Sequence, residues 1–145
     1  MKRSLLSFLF LLVGSFLWPG FSPDIVAQIT KGKVYTVVEQ EPEFPGGTVA
    51  LSRYLAENIR VPGALVRKNY NAGPIAAKFI IDELGYVHDP RIVAQPIEGK
   101  MRKGMEAFMA NIIVAVEKMP RWTPGRVAGK PVPVFYTLPV EVNMQ

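Results

Sequence analysis

Apolar residues recur at spacings of three and four over Lys103–Lys118, which predicts an amphipathic helix that Pro120 ends. The stripe expected to face the core is Met105, Phe108, Met109, Ile112, Ile113 and Val116. Two shorter helices are predicted upstream, over Val49–Asn58 with Thr48 as its N-cap and over Pro62–Lys68 with a proline at its first position. The core-facing residues of the first of these are Val49, Leu51, Tyr54 and Leu55.

Strands are predicted where β-branched and aromatic residues cluster in short runs. Val34–Glu39 is the first such run. Pro74–Ile81 and Tyr86–Ala94 form a hairpin around Asp82–Gly85, where the aspartate can bind its own backbone and the glycine can adopt the left-handed conformation. Pro90 withholds one N–H from the second hairpin strand, so this strand is expected at a sheet edge or with a bulge.

The last strand is predicted over Pro133–Val142, and alternate residues give it one apolar face: Val134, Tyr136, Leu138, Val140 and Val142. A long amphipathic helix between a hairpin and a terminal strand covers one face of a single sheet. A right-handed crossover then puts the first hairpin strand in the middle of that sheet. The predicted fold class is α+β, a two-layer sandwich with an antiparallel ββαβ core, one long helix on one face and short N-terminal helices.

The N-terminal residues have the order of a secretory signal, with a basic start at Lys2 and Arg3, an apolar run over Leu5–Trp18 and a small residue, Ala27, for cleavage. The alternative is an uncleaved anchor, but a spanning helix needs about 20 apolar residues and this run is shorter. We therefore expect residues 1–27 to be a signal peptide and residues 28–145 to form one domain exported to the periplasm. A retained signal anchor would instead hold the domain at the inner membrane, facing the periplasm, and only then is membrane contact expected.

The charge distribution and the lack of cysteine argue against several classes of function. The chain has a formal net charge of +5 and no cysteine, and loss of Lys2, Arg3 and Asp24 with the signal leaves +4. The basic residues are scattered rather than clustered with stacking aromatics, so no nucleic-acid partner is expected. Without cysteine, the sequence has no disulfide, thiolate metal site or lipid-attachment residue.

The residues available for catalysis are few. Beyond residue 27 there is one serine, Ser52, and one histidine, His88, with Asp89 beside it, and no pattern brings the three together. A lone histidine makes no zinc site, and the loop with Glu39, Glu41 and Glu43 lacks the alternating ligands of a calcium loop. We predict no enzyme, no catalytic or metal-binding residue and no cofactor. Trp122 could be a ligand platform, but its setting between prolines favours a core cover with the indole N–H on a carbonyl or water.

The terminal strand has prolines at three positions of one parity, so its missing N–H donors fall on one flank: Pro131, Pro133 and Pro139. The even-numbered flank keeps every donor and is expected to pair with the sheet. On the odd flank, four residues can donate: Phe135, Thr137, Glu141 and Asn143. Two interpretations stay open, since prolines on an edge strand can protect against unwanted pairing or leave a selective site around Phe135–Thr137 for a partner strand.

Five motifs occur in a recognisable order: EPEFPGGTVALSRYLAENIRVP, FIIDELGYV, MPRWTPG, GKPV and FYTLPVEV. Together they resemble the TonB C-terminal domain family, particularly its stand-alone versions in Bacteroidetes-type bacteria, over roughly Val34 to Gln145. The resemblance implies a three-stranded antiparallel sheet with a packed helix. It also implies a periplasmic module that binds a segment of an outer-membrane receptor, or of another envelope protein, along its terminal strand.

By position, the resemblance makes Pro133–Asn143 the receiving strand and places the Tyr–Pro element of the family on Val61–Pro62, with Asn58 and Arg60 as polar neighbours. Val61 stands where the family has tyrosine, and the long proline-rich spacer of full transducers is missing. The implied function is therefore binding rather than force transmission. The alternative is an accessory envelope module that forms a homodimer through its edge strand.

Overall fold

The computed structural model describes residues 32–67, 73–97 and 99–140. None of the helices within these ranges is long and apolar enough to span a bilayer. The predicted signal segment, residues 1–27, lies outside them. The elements, in chain order, are α1 (Gly47–Asn58), α2 (Gly63–Arg67), β1 (Ile75–Ile81), β2 (Val87–Val93), a 3₁₀ turn (Gly99–Met101), α3 (Arg102–Glu117), β3 (Arg126–Val127), β4 (Lys130–Pro131) and β5 (Val134–Val140).

The main sheet has the strand order β2-β1-β5, and both pairings are antiparallel. The first hairpin strand is therefore central, as the crossover argument predicts. Alternate residues of β1 are buried on the face that packs against the helices: Ile75, Ala77, Phe79 and Ile81. The long helix contributes Met105, Phe108, Ile112, Ala115 and Val116 to the same core. The predicted α+β class is confirmed.

The hairpin turn has the predicted chemistry. The Asp82 carboxylate accepts hydrogen bonds from the Leu84 and Tyr86 N–H groups at 2.9 and 2.8 Å, and Gly85 adopts a left-handed φ of 89°. Gly85 is also packed against the loop before β3, because its carbonyl accepts a hydrogen bond from the backbone N–H of Trp122 at 2.9 Å. A Cβ at position 85 would overlap the Trp122 carbonyl oxygen. Glycine is therefore required at this turn for both conformation and space.

The second hairpin strand shows both features expected from Pro90. It lies at the edge of the sheet, and its register with β1 shifts between Lys78 and Ile80. Asp89, with a positive φ of 49°, forms the bulge together with Pro90. The bulge absorbs the residue that cannot donate a ladder hydrogen bond.

The predicted strand over Val34–Glu39 is wrong. Only Tyr35 makes a bridge, a parallel one to Val134, and Val37 is 80% exposed. The next contact is an antiparallel bridge from Gln40 to Arg126, beside the short β3–β4 ribbon. The chain leaves the main sheet within these few residues, so its β-branched sequence cannot stay in one ladder.

The start of α1 also differs from the prediction. The helix begins at Gly47 after Gly46, which has a φ of 85°, and no side chain caps it, so Thr48 is not the N-cap. Val49 is 72% exposed and does not join the core stripe, whereas Leu51 is buried. The two glycines start the helix earlier than the threonine signal indicates. Val49 and Leu51 are two positions apart, about 200° around the helix, so burial of Leu51 leaves Val49 on the solvent side. The predicted helix over Pro62–Lys68 is observed as α2, shorter at its start by one residue, and Lys68 lies outside the described ranges.

Candidate strand-pairing edge

The strand β5 forms an edge of the main sheet. Its seven residues pair with β1 in one unbroken register, from Ile75 opposite Val140 to Ile81 opposite Val134. Without a bulge, the parity of the strand is kept along its length, so alternate N–H and C=O groups face away from β1. The Phe135 N–H demonstrates the direction, because it donates outward to the Tyr35 carbonyl at 2.8 Å. The predicted pairing of the even-numbered flank with the sheet is confirmed over Val134–Val140.

The outer flank of β5 offers few donors. Tyr35 occupies its first part, since the Tyr35 N–H donates to the Pro133 carbonyl at 2.9 Å and the Tyr35 carbonyl accepts from Phe135. Pro139 has no N–H. Thr137 therefore provides the one N–H on this flank, within Val134–Val140, that has no hydrogen-bond partner among the described residues. The outward carbonyls of Phe135, Thr137 and Pro139 add three acceptors.

The hydrogen bonds on the outer flank correct one expectation from the sequence. Phe135 was predicted to be an available donor, but Tyr35 has taken its N–H. Sequence reasoning missed Tyr35 as an edge residue because its partner, Val134, lies about a hundred residues away in the chain and is paired only in the folded structure. Two further predicted donors, Glu141 and Asn143, lie outside the described residues.

The inner face of β5 is held by an aromatic cluster. Tyr136 packs against Phe79 and Trp122 at centroid distances of 5.5 and 5.0 Å, and Trp122 also meets Phe44 edge-on at 5.4 Å. Trp122 is 2% exposed, so the interpretation as a core cover is confirmed. The indole Nε1 is buried, and no carbonyl of the described residues accepts its hydrogen.

Tyr136 lies on the core side of β5, and its hydroxyl is a weaker acid than that of a free tyrosine. Burial raises the pKa of Tyr136, and the negative charge of Glu41 raises it further. Both effects disfavour the phenolate.

The opposite face of the sheet is open and carries exposed side chains in rows across the strands. The central row runs from Arg91 through Lys78 to Thr137, as the two registers require. Phe135, 51% exposed, lies beside Ile80 in the next row. A shallow groove of about 290 Å³ is lined by Lys78, Phe79, Ile80, Asp89, Arg91 and Phe135. The open side of the sheet thus carries exposed cations together with the Asp89 carboxylate.

The remaining predicted site residues lie in the helical layer. The Asn58 side chain donates to the Tyr54 carbonyl at 2.8 Å, and the Arg60 carbonyl accepts from the Asn111 side chain at 3.2 Å. Pro62 accepts the first hydrogen bonds of α2. No hydrogen bond among the described residues joins Asn58, Arg60 or Pro62 to β5. The structure therefore does not bring these three residues together with Phe135 and Thr137 into one hydrogen-bonded site.

The titratable residues of the hairpin stabilise its turn. His88 Nε2 lies 2.7 Å from Asp82 Oδ2, and Asp89 pairs with Arg91 at 2.5 Å rather than with the histidine. Partial burial alone raises the pKa of Asp82, but the hydrogen bonds from His88 and from the Tyr86 and Leu84 N–H groups outweigh it, and the pKa is lowered. The described part of the chain contains no group of three His, Asp or Glu side chains placed to hold a metal ion.

Comparison of the chain with protein-family models, with curated proteins and with solved structures finds no match.

Proposed function

We propose that residues 28–145 are an exported, periplasmic protein-binding module of the TonB C-terminal type. It binds an extended segment of an outer-membrane receptor, or of another envelope protein, by pairing it with the outer flank of β5. The observation that supports this proposal best is the partly open edge: three outward carbonyls and one unpartnered N–H on a strand of regular register. The export itself rests on the sequence of residues 1–27.

A partner strand can form four hydrogen bonds with this flank in either direction. In the antiparallel case, one residue exchanges two bonds with Thr137, and its neighbours two positions away donate to the Phe135 and Pro139 carbonyls. In the parallel case, three alternate N–H groups donate to the same three carbonyls, and the Thr137 N–H donates once. At about 0.5–1.5 kcal/mol for each bond, the backbone contributes roughly 2–6 kcal/mol before ordering costs. Such an edge favours partners that supply N–H donors.

Self-association through this flank is less favoured, because two copies can form fewer hydrogen bonds with each other. In any pairing of two β5 edges over Val134–Val140, each copy supplies only the Thr137 N–H, because Phe135 is engaged by Tyr35 and Pro139 has no donor. Two bonds is therefore the maximum, against four for a partner whose N–H groups are all available. The homodimeric accessory module remains the second candidate, and its strand pairing would be the weaker of the two.

The proposal is tested by recovering partners from envelope extract with immobilised domain and two variants. Thr137→Pro removes the single outward donor without touching the bonds to β1, and Thr137→Val keeps the N–H as a matched control. We expect an outer-membrane receptor to be recovered by the wild type and Thr137→Val and lost with Thr137→Pro. Equal recovery by all three, or recovery of no outer-membrane receptor, would contradict the proposal. A stable dimer in sedimentation that only Thr137→Pro disrupts would instead support the homodimer.

A further inference from the structure

The open face of the sheet carries a cation, Lys78, that is not held in an ion pair, although the Asp89 carboxylate lines the same groove. Lys78 lies at the middle of β1, is exposed, and makes no ion pair among the described residues. Its neighbour Arg91 is already paired with Asp89 at 2.5 Å. Lys78 is therefore the cation of the central row that is free to meet a partner.

The row that contains Lys78 ends at the proposed binding edge. Lys78 is opposite Thr137 in the β1–β5 register, so a partner residue opposite Thr137 would extend the row by one strand. Neighbouring strands lie about 4.8 Å apart, which puts that residue two strand spacings from Lys78. Thr137 is short and lysine has a flexible four-carbon stem, so the ammonium group can reach across the threonine to a carboxylate.

The flanking rows are apolar where they reach the edge. Phe135, beside Ile80, ends one row, and Pro139, beside Ala76, ends the other. In a strand paired with β5, the residues opposite 135, 137 and 139 all direct their side chains to this open face. A partner strand on this edge would therefore lie at the end of three rows in order: an apolar row, the row that contains Lys78, and a second apolar row.

The register of the partner strand decides which face its side chains occupy. A partner strand that slips by one residue turns every side chain to the other face. An acidic residue placed opposite Thr137 lies on the face that carries Lys78, whereas a one-residue slip turns it to the other face. Lys78 therefore favours one register.

We propose that the β5 edge recognises an extended segment with an acidic side chain opposite Thr137 and apolar side chains two residues before and after it. This inference rests on the proposed function and adds the side-chain pattern of the partner. The backbone bonds supply most of the affinity, and Lys78 selects among segments. Because exposed ion pairs are weak, the selectivity for an acidic over an uncharged central residue is expected to reach at most about fivefold at low salt.

The test uses short acetylated and amidated peptides of sequence Val-Thr-Glu-Thr-Val, with Gln or Lys replacing Glu, titrated onto the 28–145 domain. The probe is the NMR shift of the Thr137 amide, which detects millimolar binding. We expect the Glu peptide to bind more tightly than the Lys peptide, by about tenfold in low salt and less in high salt. Lys78→Glu should reverse the preference, whereas Lys103→Glu, the same charge change on α3, should leave it unchanged.

The outcomes separate the two proposals. If the Thr137 amide shifts with all three peptides but Lys78→Glu leaves the Glu-to-Lys preference unaltered, strand pairing stands and the selectivity proposal is overturned. If no peptide shifts the Thr137 amide, the proposed function itself is overturned. Loss of the preference in Lys103→Glu to the same extent would reduce the effect to net charge and would also refute the role of Lys78.

Discussion

Replacement of Pro139 by threonine should make the protein associate with itself. The substitution adds an outward N–H to β5, so each copy then supplies two donors, at positions 137 and 139. In an antiparallel pair with residue 137 of one copy opposite 139 of the other, the number of possible hydrogen bonds rises from two to four. Threonine suits an edge strand, and the bonds to β1 are untouched because position 139 faces outward.

The two added bonds are worth about 1–3 kcal/mol at 0.5–1.5 kcal/mol each, which corresponds to roughly a 5- to 160-fold tighter dimer. Sedimentation equilibrium over a range of protein concentrations measures this change directly. The control is the double variant Pro139→Thr with Thr137→Pro, which moves the proline by two positions and restores one donor for each copy. Its association should return to the wild-type level.

Two results would refute the reasoning. If Pro139→Thr dimerises no more than the wild type, the supply of edge donors does not limit self-pairing. If the double variant dimerises as strongly as Pro139→Thr, the effect comes from the removal of proline at 139 and not from the donor count. Circular dichroism of each variant would verify that the fold is unchanged.

Two predictions concern the hairpin turn. Gly85→Ala should lower the free energy of unfolding in urea by more than about 2 kcal/mol, because the added Cβ overlaps Trp122 and the φ is unfavourable for alanine. The control, Gly129→Ala, has a φ of 73° and no atom within 4 Å of the added Cβ, so it should lower the free energy of unfolding by about 1 kcal/mol. Equal losses in the two variants would contradict the overlap at Gly85. Asp82→Asn should be less stable than the wild type at pH 7. Because the folded pKa of Asp82 is lowered from 3.8, its stabilisation is complete above 3.8 and is lost as the pH falls through the folded value, so the difference should shrink at pH 3. A difference that is constant with pH would exclude the carboxylate as its source.

Much of the fold follows from local pattern. β1, β2 and α3 are found near their predicted positions because their apolar spacing and turn residues are set by sequence neighbours. The segment Val34–Glu39 has equally strong strand residues, yet only Tyr35 stays paired with the main sheet. Its path is decided by contacts with Val134 and Arg126, which a local pattern does not contain.

The candidate site was predictable in part. Proline parity predicted the outward flank of β5 and its few donors, with Thr137 among them, because that argument needs only the alternation of a regular strand. It did not give the loss of the Phe135 donor to Tyr35, since that bond joins residues distant in the chain. The sequence analysis did not single out Lys78, because its position in a row with Thr137 is set by the register of the folded sheet.

The contact between Gly85 and Trp122 has a consequence for genetics. Trp122 touches both the hairpin tip and Tyr136, which is the neighbour of Phe135 and Thr137 in β5. A lesion at Gly85 would therefore displace the indole and disturb the geometry of the strand that carries the binding edge. A random library of variants screened for loss of partner binding would therefore contain substitutions at position 85 as well as in β5. The substitutions at position 85 would act through the displaced indole and not through a contact with the partner.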